Sequence, residues 1–474
     1  MAYQFPFQPP TLSHDPIHGY IPITTSESVG TGETSEFDVL RHPWLQRMRQ
    51  IHQLQTAWWV FPSAEHTRFQ HVLGAMHLAS RLVRQTYPSL VTAAEEVGER
   101  VPTLGYVETL LRMAGLLHDV GHGPFGHFFD THFLSHYGLT HETLGAEIIE
   151  RRLGELLRGL RGNPHSRLAD DEILDPTQVS WLIVRPTGRA ADESAPRWLK
   201  WLRALLSGIY TIDNMDFVLR DAYFTGYAYR SFDLERIIQY TFFTPHGLTI
   251  HDRGVDALVR FMTVRSELFR TVYFHRTVRA IDLQLADLFA ASRELLFPGN
   301  PRELLDEYLL LTDHSLLVDV QRWGQSDDPR RQELGRQWQD WLQSRWRWWP
   351  VCQRHVIFGE SDNETASIFS DHQLVAQKLS SLLPAALKSL PLRVDIARHI
   401  YRPNTVGPAQ HQNFLYDSAT ERVRPLTDNL LFRHLPISQR ICRVYAESLD
   451  HAAEIAAALD TLLGPNRLDD LTNM

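Results

Sequence analysis

Residues 107–127 read VETLLRMAGLLHDVGHGPFGH, and the change of character inside this stretch decides the fold. The part up to Leu117 is almost wholly apolar, which predicts a helix buried at the centre of the protein. The segment GHGPFGH that follows breaks helices. Neighbouring residues of a regular helix point about 100° apart, so His118 and Asp119 can reach one common ligand only where the helix ends or distorts.

Other helical patterns surround this central segment. They cover residues 42–54, 67–87, 140–160 and 211–224, and a long one covers residues 254–292. The first 36 residues have the pattern of short extended pieces and a loop. After about residue 300, short strands are predicted near 390–402, 412–426 and 438–448, followed by a helix from residue 454. We therefore predict a mainly α fold, with an N-terminal extended segment (1–36), a helical core (37–300) and a smaller C-terminal α+β region (301–474) that is a candidate for oligomerisation.

The composition narrows the class of protein. The formal net charge of −9 argues against a protein that binds nucleic acid mainly through overall positive charge. A local basic pocket for one polyphosphate is still compatible with this charge. The only two cysteines, Cys352 and Cys442, cannot build a disulfide framework, which favours a reducing compartment. We find neither a signal-peptide pattern at the N-terminus nor an apolar run long enough to span a bilayer, so we expect a soluble, cytoplasmic protein.

Histidines are crowded in one part of the chain, with nine between His66 and His141. Crowding of this kind favours metal or proton chemistry over packing, although any single histidine is more often a hydrogen-bonded core residue. A histidine on an earlier helix, the His–Asp pair and a later aspartate on an apolar helix predict a metal site with the ligands His71, His118, Asp119 and Asp213. Two imidazoles and two carboxylates suit manganese, iron, nickel or zinc, whereas magnesium prefers oxygen ligands and fits better as a second, substrate-bound ion.

Several longer stretches carry a family resemblance. They are DPIHGYI (15–21), LQRMRQIHQL (45–54), WWVFPSAEHTRFQHVLG (58–74), LLHDVGHGPFGHFFD (116–130), DNMDFVLRDAYFTG (213–226) and ELFRTVYFHR (267–276). Over residues 15–288 the chain resembles the HD-domain superfamily, and within it the deoxynucleoside triphosphate triphosphohydrolases. The resemblance implies a helical HD-domain core and metal-dependent hydrolysis of a deoxynucleoside triphosphate to deoxynucleoside and triphosphate.

The resemblance also implies roles for residues beside the metal ligands. The matching catalytic group in the family is His122, His127, Asp130, His141 and Glu142, with His127 close to the scissile phosphate. Asp130 and Glu142 also fit as ordinary carboxylates of helix first turns, and Thr140 fits as an N-cap. Ligation of a second metal by the three histidines stays open as well.

Substrate residues follow from the same resemblance. Arg68 lies one helical turn before His71 and can face the same cavity. The other matching positions are Arg265 for phosphate, and Gln53, Asp221 and Tyr273 for the sugar. Two positions depart from the family pattern: Asn214 stands where a phosphate-binding lysine is usual, and Phe217 where a tyrosine is usual. The departures put triphosphate specificity in doubt, so another phosphohydrolase (a phosphodiesterase or nuclease) and a non-catalytic nucleotide sensor stay as alternatives.

The family further implies homo-oligomers, dimeric or tetrameric, with nucleotide activators bound between subunits. Gln46 and Arg49 match activator-contacting positions, but Arg41 replaces the aspartate that reads guanine. Separately, a tryptophan stripe is predicted on one helical face for packing or subunit contact, formed by Trp338, Trp341, Trp346 and Trp349.

Overall fold

The computed structural model describes residues 11–184, 195–359, 367–401 and 413–463. Residues 1–10 of the predicted N-terminal segment therefore lie outside the described residues. So do residues 360–366, 402–412 and 464–474 of the predicted C-terminal region. The predicted boundaries at residues 36 and 300 stay predictions.

Helices dominate the described chain. They are α1 (Glu36–Arg41), α2 (Pro43–Arg47), α3 (Arg68–Glu96), α4 (Leu104–Leu117), α5 (His127–His132), α6 (His141–Ile148), α7 (Gly154–Arg158), α8 (Pro176–Ile183), α9 (Arg197–Arg203), α10 (Ile212–Phe224), α11 (Leu234–Gln239), α12 (Val255–Leu268), α13 (Arg276–Leu296), α14 (Leu305–Leu310), α15 (Asp313–Trp323), α16 (Pro329–Leu342), α17 (His372–Leu382), α18 (Leu430–Arg433) and α19 (Ala452–Leu463). The predicted mainly α fold, with a helical core and a smaller C-terminal α+β region, is confirmed.

Helix α3 begins where the sequence predicts and ends later. Thr67 and Gln70 form a capping box at its start. The prediction stopped before Pro88, but the helix continues to Glu96. Leu90 and Ala93 are buried beyond the proline, so packing of this last part offsets the hydrogen bond that proline removes.

The single long helix predicted over residues 254–292 is wrong. α12 ends at Leu268, a π-helical turn covers Phe269–Tyr273, and α13 begins at Arg276. The His275 side chain accepts a hydrogen bond from the Thr277 backbone N–H (3.3 Å) and so caps α13. The turn matters because it carries Phe269 and Tyr273 to the lining of the pocket described below.

Three small sheets complete the described chain. Strands β1 (Thr11–Asp15) and β2 (Gly19–Ile23) form an antiparallel hairpin. A second sheet has the order β3-β4-β7-β8, and the third is antiparallel with the order β5-β9-β6. The remaining strands are β3 (Thr241–Thr244), β4 (Gly247–His251), β5 (Trp349–Phe358), β6 (Leu392–Ile400), β7 (Asn413–Asp417), β8 (Arg422–Pro425) and β9 (Ser438–Ala446). Strands β3, β4 and β5 are not predicted by the sequence patterns.

Two groups of buried apolar side chains lie inside the protein. The larger runs from the N-terminal hairpin to Trp341 and includes Leu415 and Phe432 from the C-terminal part. The smaller lies between the third sheet and helices α17 and α19, around Val375, Val444 and Leu459. Among the described helices, none has the length and apolar character that crossing a bilayer requires.

The predicted stripe of four tryptophans on one helix is wrong in its second half. Trp338 and Trp341 lie on α16 and are fully buried. The helix ends at Leu342, so Trp346 lies beyond it and Trp349 begins strand β5, where its side chain is exposed. The helical spacing of these residues therefore extended past the end of the helix.

Candidate active site

Four side chains from three helical elements converge on one point. His71 comes from α3, His118 and Asp119 from the end of α4, and Asp213 from the first turn of α10. The His71 Nε2 atom lies 3.2 Å from His118 Nε2, 3.1 Å from Asp213 Oδ1 and 3.9 Å from Asp119 Oδ2. His118 Nε2 lies 3.4 Å from Asp119 Oδ1. The ligand atoms of His71, His118 and Asp119 all lie within 4.8 Å of one another, and Asp213 joins them through its short distances to the two imidazoles. Two imidazole nitrogens and two carboxylates form a donor set that fits a divalent cation.

The end of a helix allows the adjacent pair to share this point. α4 ends at Leu117, and His118 is its C-cap residue. The following chain turns, with a hydrogen bond from the Val120 backbone N–H to the Leu117 carbonyl oxygen (3.1 Å). This is the geometry that a neighbouring His–Asp pair needs to face one ligand.

Outer hydrogen bonds orient both imidazoles. His71 Nδ1 lies 2.8 Å from Asp216 Oδ2, and His118 Nδ1 lies 2.9 Å from the Gly115 carbonyl oxygen. Because these partners occupy the Nδ1 atoms, the Nε2 atoms are the ones available to bind a cation between the four side chains. Burial lowers the pKa of His71, but hydrogen bonds to Asp213 and Asp216 outweigh it and raise that pKa to about 10. A divalent cation would take the place of the proton that these carboxylates attract.

A second cluster surrounds Asp130. Its Oδ2 atom lies 2.6 Å from His141 Nδ1, 3.2 Å from His127 Nδ1 and 3.7 Å from His122 Nδ1. Gly121 permits this approach, because a Cβ there would lie 2.0 Å from the His141 carbonyl oxygen. Despite the cost of burial, contact with these histidines holds the pKa of Asp130 far below its usual range, so it is ionised at neutral pH.

The histidines of this cluster differ in exposure. His122 is fully buried, stacks on His141 with ring centroids 3.8 Å apart, and lies 3.3 Å from Asp119 through Nε2. Burial, with Arg68 and His141 nearby, keeps the pKa of His122 well below its usual value, so its ring is neutral. The His127 side chain is 63% exposed. His127 can therefore exchange a proton with a molecule bound in the cavity, whereas the buried His122 cannot. The possible ligand atoms of the cluster lie within 4.8 Å of one another, so the alternative of a second metal ion stays open. The cluster consists of His122, His127, Asp130 and His141.

Two adjoining cavities run beside these clusters. The more polar one, about 500 Å³, is lined by His118, Asp119, His141, Glu142, Asp213, Asn214 and Arg265 among others. The other, about 280 Å³, is lined by Leu54, Ala57, Asp221, Tyr273, Phe274 and Val278 among others. Gln53, Arg68, His127, Phe217 and Phe269 line both. The predicted site residues thus lie around one continuous space, with His71, His122 and Asp130 just behind its wall.

The predicted substrate residues already have partners within the protein. Arg68 donates from Nη1 to Asp119 Oδ2 (2.6 Å), and Arg265 donates to the carbonyl oxygens of Ile209 (3.3 Å) and Ile400 (3.1 Å). Tyr273 donates to Asp221 Oδ2 at 2.5 Å. Gln53 is the exception, since its buried Oε1 atom has no hydrogen-bond partner in the described residues.

Comparisons with known proteins agree with this geometry. Residues 68–175 match the family model of the HD domain. The chain is 25% identical to the human deoxynucleoside triphosphate triphosphohydrolase SAMHD1 over 94% of its own length and 71% of that protein, and 26% identical to the uncharacterized protein YwfO of Bacillus subtilis over 68% of each chain. The chain contains an HD domain. A solved structure of a hypothetical protein from Aquifex aeolicus shares the fold, with a TM-score of 0.66, 21% identity, and coverage of 95% of this chain and 100% of that one.

The HD domain and its His/Asp clusters support a metal-dependent phosphohydrolase, because HD domains bind divalent metal ions. The matched residues include His71, His118, Asp119 and the cluster around Asp130. Asp213 lies on α10, outside the matched residues, and the fold brings its side chain next to His71.

A buried network that no sequence pattern predicted lies behind the HD-domain site. Asp216, which holds His71, also accepts from His18 Nε2 (2.7 Å) and from Arg220 Nε (2.8 Å). Arg220 in turn donates from Nη1 to Asp15 (2.8 Å), so the N-terminal hairpin is tied to the back of the site. The available signal was the spacing of Asp216 and Arg220 on one helical face, one turn after Asp213.

Gly74 is expected to be essential to this network. It lies one turn after His71 on α3, and a Cβ there would lie 1.8 Å from Asp216 Oδ1 and 2.5 Å from Arg220 Nη2. Both side chains are buried and paired, so Gly74→Ala should lower the free energy of unfolding by about 3 kcal/mol through separation of a buried ion pair. Urea unfolding measures the change. Gly324→Ala is the control, because its Cβ meets nothing nearer than 3.8 Å; equal stability of the two variants would show that the network tolerates displacement.

Proposed function

We propose that this chain is a metal-dependent hydrolase that cleaves deoxynucleoside triphosphates into deoxynucleoside and inorganic triphosphate. One observation carries the proposal: a polar cavity beside the donor set of His71, His118, Asp119 and Asp213 continues into a pocket lined by apolar and aromatic side chains. A polyphosphate fits the first environment and a nucleoside the second. Similarity to the triphosphohydrolase SAMHD1 over 94% of the chain adds support.

We assign the metal to His71, His118, Asp119 and Asp213. These residues would hold a divalent ion, which would supply Lewis-acid polarisation of a phosphoryl oxygen. The chain itself orients these donors: Asp216 and the Gly115 carbonyl oxygen fix the two imidazoles, and Arg68 holds Asp119. The Arg68 guanidinium also lines both cavities, which places a positive charge where they meet.

We assign proton transfer to His127, with Asp130, His122, His141 and Glu142 around it. Hydrolysis breaks the bond between the α-phosphorus and the 5′-oxygen, water adds to phosphorus, and the 5′-oxygen takes up a proton. Asp130 commits the Nδ1 atom of His127, so Nε2 is the atom that can give that proton. Glu142 and His141 line the polar cavity on the same side.

We assign the sugar to Gln53, Asp221 and Tyr273. The bond between Tyr273 and Asp221, and the bond from Asp221 Oδ1 to His66 Nε2 (2.7 Å), fix the polar wall of the smaller cavity. Gln53 Oε1, buried and without a partner in the described residues, is an acceptor for a sugar hydroxyl. Phe217 and Phe274 supply apolar surface beside them.

A second candidate is hydrolysis of another phosphoester, and Asn214 and Phe217 favour it. Both line the polar cavity, at positions where the family carries a lysine and a tyrosine. Loss of one charge-assisted contact costs about 1.5–3 kcal/mol, enough to change which phosphoester binds.

Product analysis separates the candidates. The metal-loaded chain is incubated with the four deoxynucleoside triphosphates, the four ribonucleotides, a cyclic nucleotide and single-stranded DNA, and products are separated by ion-exchange chromatography. Intact triphosphate and deoxynucleoside in equal amounts are expected. Release of orthophosphate or pyrophosphate alone, or cleavage only of the cyclic nucleotide or DNA, would refute the proposal, and binding without turnover would select the nucleotide sensor.

Assembly and activation belong to the same proposal. Gln46 and Arg49, the candidate activator residues, bond to each other (3.0 Å), and the Arg49 guanidinium lies 3.6 Å above the Phe69 ring. Phe69 is next to Arg68 and two residues from His71, so a nucleotide bound at Arg49 would act directly on the helix that carries the site. We propose a homodimer or homotetramer for such regulation.

A further inference from the structure

Strand β6 of the C-terminal sheet closes one side of the polar cavity. Arg398, His399 and Ile400, at the end of this strand, line the same space as Asp119 and Asp213. The strand is anchored there by a paired contact of Asp395 with Arg279 on α13, at 2.6 and 3.1 Å. A second anchor is the bond from Arg265 to the Ile400 carbonyl oxygen (3.1 Å). A part of the chain more than 170 residues from Asp213 thus forms a wall of the site.

The charges around the polar cavity leave room for a further cation. Three carboxylates line it, Asp119, Asp213 and Glu142. Two arginines line it besides Arg398: Arg68, which pairs with Asp119 at 2.6 Å, and Arg265, which donates to two backbone carbonyl oxygens. Asn214 brings no charge where the family has a lysine. A triphosphate carries several negative charges, and such a ligand requires cations held in place around it.

His399 offers a polar atom in the same wall. Its side chain is buried and stacks on Phe269, with ring centroids 4.1 Å apart and an angle of 22°. Its Nε2 atom has no hydrogen-bond partner among the residues that the structure describes. Burial and the nearby Arg265 lower the pKa of His399 to about 3, so the ring is neutral at physiological pH. A neutral imidazole can donate one hydrogen bond to a phosphoryl oxygen.

We infer that Arg398 and His399 form a polyphosphate-binding wall opposite the metal centre, with Arg398 supplying the positive charge that Asn214 does not. The expected ligand is inorganic triphosphate or the triphosphate of a nucleotide, and this choice of ligand rests on the proposed function. The assignment gives the C-terminal sheet a direct part in substrate binding, beyond any part in assembly.

Binding measurements on the full, manganese-loaded chain test this inference without turnover. The probes are inorganic tripolyphosphate and deoxyadenosine, each titrated calorimetrically with free manganese held constant. Arg398→Gln should weaken tripolyphosphate binding by about ten- to a hundredfold and change deoxyadenosine binding less than twofold. Arg393→Gln is the matched control, because Arg393 lies on the same strand but pairs with Asp287 (2.7 Å) at the surface and does not line the polar cavity.

Four results would overturn the inference. They are no binding of tripolyphosphate to the unaltered chain, unchanged binding in Arg398→Gln, equal loss of both probes, and an equal effect of Arg393→Gln. His399→Phe keeps the ring stack and removes the nitrogen, so unchanged tripolyphosphate binding in that variant would remove His399 from the wall. The proposed function fails separately: a chain that releases no triphosphate from nucleotides, yet binds tripolyphosphate through Arg398, would refute the reaction and support the wall.

Discussion

Replacing Asp213 by alanine is expected to remove the metal and lower kcat/KM at least about a thousandfold. Asp213 Oδ1 lies 3.1 Å from His71 Nε2 and 3.6 Å from His118 Nε2, so this oxygen is one of the four donors that would surround the ion. An open hydrolytic site with one donor fewer binds its ion weakly and loses the charge that stabilises the transition state. The fold should survive, because Asp213 is only half-buried and the first turn of α10 keeps its cap from Thr211.

Elemental analysis of the purified variant gives the metal content, and initial rates give kcat/KM. Asp256→Ala is the matched control, since it also removes a carboxylate from the first turn of a helix, α12, but at an exposed position. A full equivalent of metal in Asp213→Ala, with the unaltered chain also at one equivalent, would show that the ion lies elsewhere. The cluster around Asp130 would then be the next candidate.

Local patterns made much of this site predictable. The apolar run before His118 predicts a helix that ends at the His–Asp pair, and α4 ends at Leu117. The helical spacing around His71 likewise places it on α3. These features follow from periodicity and helix-breaking residues, which are encoded within about twenty positions of sequence.

Features that depend on contacts distant in sequence were missed. The outer partner of His71 is Asp216, and Asp216 is held by His18 from the N-terminal hairpin. Arg398 lies at the cavity on a strand that is held there by the pairing of Asp395 with Arg279 and by the bond from Arg265 to Ile400. Without homologous sequences, no local pattern distinguishes these residues from ordinary polar ones. The break of the predicted helix at 269–275 was missed because the apolar spacing continues through the π-helical turn.

His127→Ala is expected to lower kcat by about a hundred- to ten-thousandfold while the metal content stays unchanged. The exposed ring lines both cavities, and Asp130 lies 3.2 Å from its Nδ1 atom. Removal of a positioned proton donor raises the barrier for departure of the 5′-oxygen, because that oxygen must then leave without a proton from the protein. The donors of the metal centre lie on α3, α4 and α10 and do not depend on this side chain.

Three outcomes of this substitution lead to different mechanisms. A fall in kcat with constant metal content supports proton transfer by His127. A fall accompanied by loss of one metal equivalent would assign His127, with His122, Asp130 and His141, to a second ion and refute the proton role. Unchanged function in the cell, together with nucleotide binding but no turnover by the unaltered chain, would identify a sensor. His136→Ala serves as the control, because it removes an exposed histidine nine residues along the chain that lines neither cavity.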